Sequence, residues 1–325
     1  MKNSEKKIAV IIGDPNSINS EIIFKSWKKL DSNFKKKIYF IGNIELVKKQ
    51  FIKLKIFQKI QKVSQNIKTL ENNEAFKMIN VDLKFKDPFN VKIKDASQYI
   101  IKCLNLGHKL AVNKSIYGFI NCAINKNLLP KKNIGVTEYL ASKCGIVKNS
   151  EVMLIKSKSH AVVPITTHLD LKDVDKNINT KIIITKIKTL QNFFFKFLKR
   201  KPRIGILGLN PHNAELRSDS KEVKVIIPAV KNLKKLKIFI SGPLVADTIF
   251  MKDYKKYDVI VGMYHDQVLP SFKSIFKFEA INVTLGLKYI RVSPDHGVAS
   301  NLIKKNKANA ASLINCFKFI EKFCL

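Results

Sequence analysis

The chain has 325 residues, 46% of them hydrophobic, which is long enough for one large or two medium domains and too apolar for a disordered chain. Its formal net charge is +35, from 60 Lys and Arg against 25 Asp and Glu. The lysines run through the whole chain without a basic tail, zinc-finger spacing or aromatic-basic motif, so the charge reads as drift in residue usage and nucleic-acid binding is excluded as the main role.

At the N-terminus, residues 8–12 (IAVII) form an apolar run, followed by Gly13-Asp14-Pro15-Asn16-Ser17 and the amphipathic INSEIIFKSWKKL. This order predicts strand, turn and helix. A second strand is expected at 38–41, ending at Gly42 and Asn43. Residues 44–78 are Lys- and Gln-rich and read as one or two surface helices with loops, followed by a strand near 79–84. Helical spacing covers 96–114, where His108 reads as a packing or surface residue. A buried strand follows at 117–121, then a short helix at 137–145 that ends at Gly145. In the second half, strands are expected at 151–156, 160–166, 203–208, 237–241, 257–262 and 289–293. Helices are expected at 178–199, 220–235 and 308–322. Such alternation predicts an α/β chain with mostly parallel sheets. No run approaches the roughly 20 apolar residues of a membrane helix. No secretory leader is read at the N-terminus. The five cysteines are scattered and form no CxxC pair, which points to free thiols in the reducing cytoplasm.

In open parallel sheets, functional groups gather just past the C-terminal ends of strands. His168 stands there after 160–166, Asn210 and His212 after 203–208, Asp247 after 237–241, and His265 with Asp266 after 257–262. Three imidazoles with an open position suit Zn²⁺, Co²⁺ or a similar divalent ion, and nearby carboxylates can orient a ligand or move a proton. The bland alternative, three separate surface histidines, stays open on this evidence.

The segments THLDLKDV, LGLNPHNAE, GPLVADTIF, YDVIVGMYHDQVLP and INVTLGLKYIRVSPDHGVA occur in that order. They resemble the successive motifs of the 4-hydroxythreonine-4-phosphate dehydrogenase family of pyridoxal phosphate biosynthesis. The resemblance implies a two-domain α/β/α fold like that of isocitrate and isopropylmalate dehydrogenases, with a cleft between the domains. The domains expected are 1–125 plus 290–325, and 126–289 carrying the histidines and a dimer interface. It also implies NAD-dependent oxidation of 4-phosphooxy-L-threonine, then decarboxylation to 3-amino-2-oxopropyl phosphate. The implied metal, Zn, Mg or Co, is held by His168, His212 and His265. Substrate contacts fall on Thr137, Lys273, Asn282 and Arg291, with Lys273 and Asp247 catalytic. Cofactor contacts fall on Asn210, Asp247, Leu285 and Asp295. His296 is left open between a supporting and a packing role. The implied assembly is a cytoplasmic homodimer with its site at the interface.

The chain departs from the family pattern in four places. Val136 stands where the family has histidine, in GVTE. The N-terminal turn is GDPNSINS and a later segment is NCAINK, both poorer in glycine. The Gly-rich loop after LNPH has become NAELRSDS. These departures keep a second reading in view, a drifted member of weak or altered activity that binds metal and phosphate ligands.

Overall fold

The computed structural model describes residues 6–67, 74–130, 135–147 and 149–324. Among them the strands are β1 (Ile8–Ile11), β2 (Ile38–Gly42), β3 (Ile60–Val63), β4 (Phe76–Asn80), β5 (Gly118–Asn121), β6 (Val152–Lys156), β7 (Ala161–Pro164), β8 (Ile204–Leu207), β9 (Ile240–Leu244), β10 (Val259–Gly262), β11 (Ile281–Leu285) and β12 (Ile290–Pro294). The chain divides into two compact units, Met1–Lys143 with Lys288–Leu325, and Cys144–Leu287. Sequence reading put the first break at 125/126. The helix Val136–Lys143 accounts for the later position, because its Tyr139 hydroxyl donates to Asn105 Oδ1 at 2.7 Å within the first unit.

In the first unit the strands lie in the order β3-β4-β2-β1-β5-β12, every neighbouring pair parallel. β1, β2 and β5 are buried along their whole length, as strands covered on both faces must be. Phe40 of β2 stacks on Phe76 of β4 with centroids 3.7 Å apart, and Trp27 meets both rings edge-on. Each such buried ring is worth about 1.5–3 kcal/mol over its exposed state. Asn43 caps the helix Ile44–Lys53 by accepting from Leu46 N at 2.8 Å. β3 escaped the sequence reading because it is an edge strand with Lys62 exposed, and lysine there blunts edge-to-edge pairing while masking the apolar run.

The second unit has the order β11-β6-β7-β10-β8-β9. β7, β10, β8 and β9 are parallel, whereas β6 is antiparallel to both β7 and β11. The expectation of mostly parallel sheets therefore holds throughout the first unit and gives way at β6. The physical reason is the tight turn at Ser157–His160, closed by Ser157 N to His160 O at 2.9 Å, which permits only an antiparallel return. Met153, Ile155, Val162, Leu207, Ile260, Val268 and Phe272 form the core under this sheet. The helix His265–Phe276, which contains Pro270, also went unread, since an internal proline argues against a helix. Among the described residues, no helix is long and apolar enough to cross a membrane.

Candidate active site

Four neighbouring parallel strands, β7, β10, β8 and β9, end on the same side and deliver His168, His265, His212 and Asp247 in that order. The His168 and His265 rings lie 6.0 Å apart between centroids. His265 opens its helix, and its Nδ1 is 2.5 Å from Asp266 Oδ1. An ionised carboxylate only accepts, so in this contact Nδ1 is the donor and Nε2 is left free of Asp266. His212 lies between two carboxylates, Nε2 at 3.6 Å from Asp247 Oδ2 and Nδ1 at 3.6 Å from Glu215 Oε1. Both distances are too long for hydrogen bonds. Sequence reasoning singled out Asp247 but not Glu215, although the two flank the same imidazole.

Among the described residues, no three or more His, Cys, Asp or Glu side chains are gathered tightly enough to hold a metal ion. The donors nevertheless suit a divalent cation in kind and in placement at adjacent strand ends.

The loop bearing His212 is strained. Residues 212–216 all have φ between 46° and 57°, a left-handed turn built without glycine. Each such L-residue costs about 1–2 kcal/mol. Asn213 suits this region and anchors itself through Nδ2 to Pro243 O at 3.2 Å, whereas Ala214 has no side-chain bond to offset the cost. Ala214→Gly is therefore expected to stabilise the second unit by at most about 1 kcal/mol, because the entropy of the freer unfolded chain and the loss of a buried methyl both subtract from the strain relieved. An unchanged or lower urea midpoint refutes this.

The first unit holds a second group of candidate residues. Arg291 on β12 is 3% exposed, and its Nε donates to Asn121 Oδ1 at 2.6 Å and its Nη1 to Thr137 Oγ1 at 3.3 Å. The register explains the meeting. Arg291 lies opposite Phe119 of β5, so Asn121, two residues on, shares its face. Burial pushes the guanidinium pKa down to about 10, with Glu138 pulling the other way, so Arg291 stays charged through neutral pH. Asn121 was not identified from sequence. Its only signal was its place in the aberrant NCAINK segment.

The other expected residues are spread over the elements. Lys273 is exposed on the helix His265–Phe276. Asn282 is half-buried on β11, and its Oδ1 is shielded from solvent with no hydrogen-bond partner among the described residues. Leu285 is 1% exposed, so only its backbone can serve a ligand. Asn210 lies two residues before His212 and donates from Nδ2 to Glu222 Oε2 at 3.1 Å. Asp295 follows β12, its amide donating to Ser312 Oγ at 2.9 Å. His296 bonds its neighbouring backbone at Gly297 O. Val136 is the first residue of the helix Val136–Lys143.

The model for the pyridoxal phosphate biosynthetic protein PdxA matches residues 33–320. The chain belongs to the PdxA family. It is 34% identical over 322 residues to the 4-hydroxythreonine-4-phosphate dehydrogenase of Aquifex aeolicus, covering 97% of this chain and 98% of that one. It is 36% identical to the enzyme of the same name from Sulfurihydrogenibium sp., covering 95% of each. The crystal structure of 4-hydroxythreonine-4-phosphate dehydrogenase from Klebsiella pneumoniae superposes with a TM-score of 0.83 at 25% identity, over 100% of this chain and 99% of that one. Isocitrate dehydrogenase from Methylococcus capsulatus, at 10% identity and a TM-score of 0.50, shares the fold alone, over 97% of this chain and 84% of that one. The PdxA family and the isocitrate dehydrogenase-like fold inferred from the five motifs thus stand.

Proposed function

We propose that the chain is an NAD-dependent 4-hydroxythreonine-4-phosphate dehydrogenase that requires a divalent metal. It oxidises the secondary alcohol of 4-phosphooxy-L-threonine to a ketone, and the resulting β-keto acid loses CO₂ to give 3-amino-2-oxopropyl phosphate. The observation that carries this reading is the delivery of His168, His265, His212 and Asp247 by four adjacent parallel strand ends, in a chain of the PdxA family.

In this reading His168, His212 and His265 hold the metal, Zn, Mg or Co, which supplies Lewis-acid polarisation of the substrate oxygen when bound. Asp247, beside His212, is placed to take a proton. Lys273 supplies a second catalytic group. Arg291 and Thr137 bind an anionic part of the substrate through a charged fork and a hydroxyl. The unpartnered Asn282 Oδ1 is an acceptor suited to the substrate amine. NAD takes up the hydride, with Asn210, Asp247, Asp295 and the Leu285 backbone as its contacts. A homodimer is supported by exposed apolar side chains that follow the same strand ends in the chain, namely Leu171, Leu216 and Met251. Cytoplasmic residence is supported by five cysteines that are all free and buried.

A second reading, metal and phosphate-ligand binding without efficient turnover, is favoured by one observation, the non-glycine left-handed turn beside His212. One assay separates the two. Purified protein is mixed with NAD⁺, 4-phosphooxy-L-threonine and Zn²⁺, Mg²⁺ or Co²⁺, and NADH absorbance is followed. Dehydrogenation gives a rising signal that His212→Ala abolishes. Silence with every metal sinks the dehydrogenase reading.

A further inference from the structure

The three histidine loops are bonded to one another by side chains outside the histidine set. Thr166, two residues before His168, donates from both its amide (3.0 Å) and its Oγ1 (2.8 Å) to Met263 O, two residues before His265. Gln267 faces both ways. Its Oε1 accepts from Met263 N at 2.7 Å, and its Nε2 donates to Gly208 O at 2.7 Å, at the end of β8. Glu222, which is fully buried, accepts from Leu209 N at 2.8 Å, Asn210 N at 2.7 Å and Asn210 Nδ2. Burial raises the Glu222 carboxyl, but these N–H bonds outweigh it and hold its pKa below the usual carboxylate range. Space is allotted tightly here as well. A Cβ on Gly208 would lie 2.1 Å from Asn213 Oδ1 and 3.1 Å from Glu222 Oε1.

The geometry points to a brace of Thr166, Gln267 and Glu222 that sets the spacing at which His168, His265 and His212 approach one another. They are positioning residues and act through the loops they tie. The bonds run without a gap from the end of β7 through β10 to β8, so a change at Gln267 moves two loops at once. Gln267 suits the role because its carboxamide accepts through Oε1 from one backbone and donates through Nε2 to another. The metal-affinity arm of the inference rests on the proposed metal site, whereas the loop-geometry arm does not.

Two variants test the brace. Gln267→Met keeps the shape and removes both bonds, and Glu222→Gln keeps the shape and one acceptor for the Leu209 and Asn210 backbone amides but removes the charge and turns an NH2 toward Asn210 Nδ2. In metal-free protein, imidazole C–H NMR signals of His212 and His265 are expected to shift or broaden. Those of His108, in the other unit, and His160, at the opposite end of β7, stay in place. Calorimetry with Co²⁺ alone is expected to show affinity reduced about 10- to 100-fold. Unmoved His212 and His265 signals in a variant that melts like the parent chain overturn the brace. If Gln267→Met does not fold, Glu222→Gln decides on the same spectra. If the parent chain takes up no divalent ion, the metal reading falls, while the metal-free spectra still decide the brace.

Discussion

Arg291→Lys is expected to lower kcat/KM roughly 10- to 150-fold, mainly through a higher substrate KM. The arginine fork gives one N–H to Asn121 Oδ1 and another to Thr137 Oγ1, which fixes the guanidinium plane before any anion arrives. A lysine keeps the charge but cannot reproduce that fork, and it leaves Asn121 Oδ1 buried without its donor. A lost charge-assisted bond of about 1.5–3 kcal/mol sets the stated range. The variant also gains a pH dependence. Burial lowers a lysine pKa, so the substituted ammonium loses its proton as pH rises toward and above neutrality and anion binding weakens. The parent guanidinium, held at about 10, stays charged over that interval and its KM stays flat. Steady-state kinetics from pH 6 to 9 check both points. Equal KM values and parallel pH profiles refute the role given to Arg291.

Gly13→Ala is expected to destabilise the first unit by about 2–6 kcal/mol. Gly13 has φ +85°, and a Cβ there would lie 2.6 Å from Asn19 Nδ2 and 2.7 Å from Ala123 O. The strain of the conformation and the overpacking each contribute about 1–3 kcal/mol. Both neighbours are tied to the same turn. Asn19 Nδ2 donates to Ala123 O at 2.8 Å, and Asp14 N donates to that oxygen at 3.0 Å. The Asp14 carboxylate in turn accepts from Asn16 N and Asn125 N. The alanine therefore loosens the junction between the ends of β1 and β5, and the urea midpoint of the first unit falls. An unchanged midpoint shows that the turn yields freely.

GDPNSINS and NCAINK, the segments that looked most degraded in sequence, are bonded to each other in this way. Asparagine amides now make contacts across the turn, while Gly13, where the φ demands it, is kept. The loop after LNPH did not resolve so neatly, and it carries its strain in Ala214 and its neighbours.

The amino-acid sequence alone determined the α/β alternation, the strand ends that bear His168, His212, His265 and Asp247, and the family. These are local or collinear properties, because an apolar run followed by a turn is read within a dozen residues and the five motifs occur in order. The tertiary structure alone decided what each side chain meets. Asn121 comes to Arg291 through the parallel register of β5 and β12. Gln267 reaches Gly208 because β10 and β8 are neighbours in space although remote in the chain. The antiparallel β6 and the helix across Pro270 were hidden for a related reason, since pairing direction and the packing that outweighs a helix breaker depend on contacts far away in sequence. The histidine cluster was legible as a set of strand ends. Its division into a His168–His265 pair and a His212 turned toward Asp247 and Glu215 came from loop geometry that no spacing of residues encodes.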